Sequence, residues 1–101
     1  MSWHKTINKA LKELRFVVSS RDNPNSEGAR TFLKQHYAPT LAANPDFRFV
    51  IRECEGIDSF ALFRYNFGVE KKVPIDYLSA EEIEKMVAEK VKGAELVNKS
   101  L

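Results

Sequence analysis

A single cysteine, Cys54, closes the run Phe47-Arg48-Phe49-Val50-Ile51-Arg52-Glu53-Cys54. One thiol cannot form an internal disulfide, and no second cysteine stands at metal-ligand or redox spacing. The carboxyl end of a strand is nevertheless where α/β proteins often build sites. Arg52 favours a thiolate at Cys54, while Glu53 and Glu55 oppose it. Cys54 therefore reads first as a structural cysteine and second as a redox thiol. His4 and His36 are far apart in sequence, and no His/Cys/Asp spacing suggests zinc. His36 lies beside the apolar face of a helix, where hydrogen-bonded packing is its ordinary use. Glu81, Glu82 and Glu84 complement the dipole at the start of the last helix. Gly28 and Gly68 are isolated, so no glycine-rich phosphate loop exists. The expectation is a non-enzyme with no catalytic, cofactor or metal site.

The elements that position these residues are legible from periodicity. Leu14 to Ser19 alternates as a first strand, and Asn23-Pro24-Asn25-Ser26 breaks it and offers caps. A helix follows with Ala29, Phe32, Leu33, Tyr37 and Leu41 on one face, bent or interrupted at Pro39. Strand two is Phe47 to Glu53, strand three Phe60 to Phe67, and strand four Lys71 to Ile75. Pro74 places strand four at an edge. Ser79 and Glu82 form a capping box for the last helix, which Gly93 is placed to end. The order β-α-β-β-β-α implies a right-handed crossover with parallel first and second strands, then antiparallel pairing. That is the order of a reduced thioredoxin-like α/β fold: a four-stranded mixed sheet with both main helices on one face.

Length and composition agree with this reading. The chain has 101 residues, 44% hydrophobic and 30% charged, which suits one ordinary globular domain. Residues 13–93 form the domain, 1–12 a basic lead-in and 94–101 a tail. The lead-in places Trp3, Ile7 and Leu11 four apart with Lys5, Lys9 and Lys12, as on one helical face. It resembles a mitochondrial targeting segment but has no arginine, and an attached lead-in is an equal reading. No run approaches the roughly 20 apolar residues of a membrane span. A lone cysteine argues against a disulfide-stapled secreted scaffold.

Helices on one face leave the other without cover from the chain. By parity it carries Arg15, Val17 and Ser19, then Arg48, Val50 and Arg52, then Leu62, Arg64 and Asn66. Arg15, Arg48, Arg52 and Arg64 among aliphatic residues suit either a solvated face or a docking face for an acidic protein surface. The aromatic residues of strand three point away, so stacked base recognition lacks its platform. A net charge of +2 adds little argument for nucleic acid. Cys54 shares this face, with Ser19 as its expected neighbour at the end of strand one.

Phe49-Val50-Ile51-Arg52-Glu53-Cys54, then Arg64-Tyr65-Asn66-Phe67-Gly68-Val69-Glu70 and Val73-Pro74, form a pattern with a known resemblance. Lys12-Glu13-Leu14-Arg15, Gly28-Ala29-Arg30-Thr31-Phe32 and Asn44-Pro45 extend it from about Leu11 to Val91. The chain resembles the thioredoxin-like accessory subunit family of mitochondrial complex I, whose domain is shared with mitochondrial ribosomal proteins. The resemblance implies a non-catalytic subunit in the mitochondrion, on the matrix side of the inner membrane. It implies no cofactor, and docking against other peripheral-arm subunits, in particular the large iron–sulfur subunit. Many relatives carry a second cysteine that can pair with the one matching Cys54; here Ser19 or Ser20 stands there. A mitochondrial ribosomal protein and a single-thiol redox sensor are the alternatives.

Overall fold

A computed structural model describes residues 3–20, 24–65 and 68–100, with side chains described through residue 94. The chain is α/β, with helices α1 (Trp3–Ala10), α2 (Glu27–Ala43) and α3 (Ala80–Ser100) and strands β1 (Glu13–Ser19), β2 (Arg48–Cys54), β3 (Phe60–Arg64) and β4 (Glu70–Pro74). A 3-10 turn, Pro24–Ser26, leads into α2. The sheet is mixed, in the order β2-β1-β3-β4. β1 runs parallel to β2 and antiparallel to β3, and β3 is antiparallel to β4. The expected parallel pair and the edge position of the proline-bearing strand are both present. Asn66 and Phe67 of the expected third strand lie outside the described residues.

Strand parity sorts the side chains. Leu14, Phe16, Val18, Phe49, Ala61 and Phe63 are buried together with Ala29, Phe32 and Leu33 of α2 and Ile83, Val87 and Val91 of α3. The lead-in contributes to the same core: Trp3, Ile7, Ala10 and Leu11 are each at most 8% exposed. The four-residue spacing that suggested a helix is thus the stripe that α1 presents to its neighbours. Asn44, at the end of α2, donates its side-chain N–H to the carbonyl of His4 and ties the two helices together.

Two local expectations are corrected and a third is narrowed. Gly93 does not end the last helix, which runs through it to Ser100 while Ala94 is buried. A helical glycine costs only about 1 kcal/mol relative to alanine, and the packed positions on either side outweigh that. Ser26 makes no side-chain cap bond to α2; its hydroxyl instead accepts from the Ser19 N–H at 2.9 Å. Pro39 does not interrupt α2, which continues to Ala43. By contrast the capping box of α3 is formed reciprocally: Ser79 N–H to Glu82 Oε1 and Glu82 N–H to Ser79 Oγ, both 3.1 Å.

Candidate functional site

The face of the sheet opposite α2 and α3 is built of rows that cross all four strands. Register places Arg48, Glu13, Arg64 and Glu70 side by side, a row of alternating charge. The next row is Val50, Arg15, Leu62 and Lys72, and the third is Arg52, Val17, Phe60 and Pro74. A strip of Val50, Val17, Leu62 and Phe60 is therefore bordered by five cations and two carboxylates. Lys72 Nζ stands 4.2 Å from the Phe60 ring centroid, a cation–π contact.

The four arginines share this face but are not equivalent. Glu13 is only 3% exposed and lies within ion-pair distance of two of them: Oε2 is 3.1 Å from Arg15 Nε, and Oε1 is 2.6 Å from Arg48 Nε. These are charge contacts rather than aligned hydrogen bonds, since Glu13 Oε1 and Arg15 Nε have no partner of hydrogen-bond geometry. Arg52 and Arg64 are exposed and make no ion pair among the described residues. The most available positive charge therefore lies at Arg52 and Arg64. Glu13 could have been found by parity, since it stands two residues before Arg15. Phe60 corrects another expectation: an aromatic residue of strand three does face the open side, alternating with Ala61.

Cys54 is exposed at the end of β2, and Ser19 is its register partner. That resolves which serine stands opposite the cysteine. The Ser19 hydroxyl is engaged in a buried cluster, donating to Asn25 Oδ1 and lying 3.0 Å from Ser26 Oγ. Asn25 Nδ2 donates to Asp76 Oδ1 at 2.8 Å, and the same oxygen accepts from Ser59 N–H at 2.8 Å and Ser59 Oγ at 2.7 Å. One carboxylate oxygen thus joins the segments before α2, before β3 and before α3. Hydrogen bonds to a charged group contribute about 1.5–3 kcal/mol each, so this end of the sheet is pinned. The sequence marked Asn25 and Ser26 only as caps; their distant partners had no local signal.

The two histidines, separated in sequence, meet between the helices. His4 Nε2 is 2.8 Å from His36 Nδ1, and His36 Nε2 is 2.7 Å from Glu84 Oε2. Trp3 stacks on His4 with centroids 4.0 Å apart, and His36 packs on Phe32 at 4.8 Å. The His4 pKa is lowered by burial first and by the neighbouring His36 second, against an upward pull from Glu84. The chain His4–His36–Glu84 is linear, with His36 bridging, and no group of three ligands suited to a metal occurs among the described residues. His36 thus has the hydrogen-bonded packing role its position suggested, with partners on two other helices.

The chain is thus a mixed four-stranded α/β domain whose open sheet face carries charged residues around an apolar strip. Residues 29–80 match the mitochondrial ribosomal protein L51 / S25 / CI-B8 domain, and the chain belongs to that family. It is 36% identical over 92% of its length to NADH dehydrogenase [ubiquinone] 1 alpha subcomplex subunit 2 of Arabidopsis thaliana, covering 95% of that protein. The Mus musculus protein of the same name is 35% identical over 82% of this chain and 83% of its own length. The NADH-ubiquinone oxidoreductase 10.5 kDa subunit of Neurospora crassa is 34% identical over 92% of this chain and 98% of its own.

Proposed function

We propose that this chain is a non-catalytic accessory subunit of mitochondrial NADH:ubiquinone oxidoreductase, complex I. It supports assembly or stability of the peripheral arm by docking through its open sheet face, on the matrix side of the inner membrane. The observation that carries this reading is similarity along nearly the whole chain to relatives named as subunits of that enzyme. The face adds a physical means. Arg15, Arg48, Arg52, Arg64 and Lys72 ring an apolar strip, which suits an acidic protein surface with an apolar centre. The large iron–sulfur subunit is the neighbour that the family resemblance implies. Relatives named for the mitochondrial ribosome share the domain, but a face whose cations alternate with Glu13 and Glu70 suits protein better than a phosphate backbone. Cys54 is left as a position marker on this face rather than a working thiol.

Charge reversal tests the reading. Like charges facing one another across an interface cost several kcal/mol, so Arg52→Glu and Arg64→Glu should each reduce incorporation into the complex severalfold on native gels. Arg48→Glu should act less, because Glu13 already offsets Arg48. Far-ultraviolet circular dichroism of the isolated Arg52→Glu and Arg64→Glu variants should match the parent. Full incorporation of the Arg52→Glu/Arg64→Glu double variant would remove the sheet face from the proposal.

A further inference from the structure

A shallow groove opens on the helical layer where the first turns of α2 and α3 approach each other. Pro24, Glu27, Thr31, Tyr77, Leu78 and Glu81 are among the residues that line it. Tyr77 is 75% exposed, more than the exposed apolar residues Val69 at 54% and Ile51 at 41%. Its φ of 61° lies in the left-handed region, which a bulky side chain enters against steric resistance. The backbone cannot relax out of it cheaply. Tyr77 N–H donates to the Asn25 carbonyl at 2.9 Å, Leu78 N–H to the Ile75 carbonyl at 3.3 Å, and Asp76 between them is held by Asn25 and Ser59. An aromatic ring is thus presented largely to solvent by a frame fixed on both sides.

Two exposed carboxylates complete the surroundings. Glu27 and Glu81 make no ion pair among the described residues, whereas Glu82 is occupied in the capping box. An anion would meet these carboxylates before it met the helix dipoles, which they already satisfy. A cation meets an aromatic face and two counter-charges together. We propose that the groove receives a lysine- or arginine-bearing segment of a partner protein. Its cation lies over the Tyr77 ring between Glu27 and Glu81, and its aliphatic stem runs along Pro24 and Leu78. This contact is opposite in charge to the open sheet face and separate from it, so it does not depend on that face docking at all.

A photo-crosslinking residue at Thr31, which is exposed and lines the groove, tests the proposal. The probe is p-benzoylphenylalanine in the tagged full chain, irradiated in the intact assembly purified from its own cells. Mass spectrometry should find a crosslinked peptide of a neighbouring protein with lysine or arginine within a few residues. Its yield should fall about fivefold in a Tyr77→Asn background and similarly in Glu27→Gln/Glu81→Gln, the factor expected for one such contact. Asparagine accepts the left-handed conformation, so the isolated Tyr77→Asn chain should melt a few degrees higher while losing the contact. That opposition separates a partner contact from a structural role. Absence of any partner crosslink, a crosslinked peptide with no cation, or unchanged yield in either background overturns the proposal. The variants leave Arg52 and Arg64 untouched, so failure here is distinct from failure of sheet-face docking.

Discussion

His36 sits in the middle of a chain of three titratable groups, and its tautomer follows from its neighbours. With Nε2–H donating to the Glu84 carboxylate, a neutral His36 has Nδ1 free to accept from His4 Nε2–H. Burial and the neighbouring His36 both disfavour a proton on His4. Because the folded His4 pKa is lowered from 6.5, the unfolded chain binds its proton more readily. The sign is therefore definite: the contribution is complete above about pH 6.5 and is lost as pH falls through the folded value. Urea midpoints should decline between pH 7.5 and pH 5.5, and His4→Phe should flatten that decline. An identical decline in the variant would remove His4 as its source. At the same scale, Glu13 shows why a count of arginines misjudges a surface. One nearly buried carboxylate sets which guanidinium groups are available to a partner.

Among the elements, the approach of α2 to the segment before α3 is the tightest constraint. A Cβ on Gly28 would lie 1.8 Å from the Leu78 carbonyl oxygen, which is backbone and cannot step aside as a side chain would. Gly28→Ala should therefore lower unfolding free energy by about 3 kcal/mol, the upper end for overpacking. Equilibrium denaturation checks it, and a loss below 1 kcal/mol would mean that the two segments separate easily. The strands and their two faces were readable because alternation is a local property that the sheet preserves. Arg15, Arg48, Arg52 and Arg64 are on one side for that reason, and Ser19 meets Cys54 for the same reason. What could not be read depends on pairing across distance. Nothing near Ser26 shows that its hydroxyl turns back to Ser19, and nothing near His4 shows that His36 and Glu84 await it. Gly93 misled because a glycine stops a helix only when packing beyond it stops too, and Ala94 packs.

At the scale of the whole molecule, α1 belongs to the core that the sheet and the other helices build. Ile7 is fully buried in the same cluster as Phe16, Phe32 and Phe63. Ile7→Ala should cost about 3 kcal/mol of global stability. Hydrogen exchange should show protection reduced across β1 and β3 as well as in α1. A loss confined to α1 would mark it as a separately melting appendage. The molecule presents two surfaces of opposite sign around one shared core, a basic sheet face and an acidic groove beside Tyr77.

The placement of β1 has a consequence in time. It lies between β2 and β3, yet residues 48–54 and 60–64, which pair with it, come more than thirty residues later in the chain. A chain emerging from its amino end offers this strand with both edges open until residue 54 has followed, and with one still open until residue 64, nearly two thirds of the way along. Pairings of such long sequence separation close slowly, and an unpaired strand edge is what holding chaperones and aggregation compete for. The interval before residue 64 emerges is therefore when this small protein is most vulnerable.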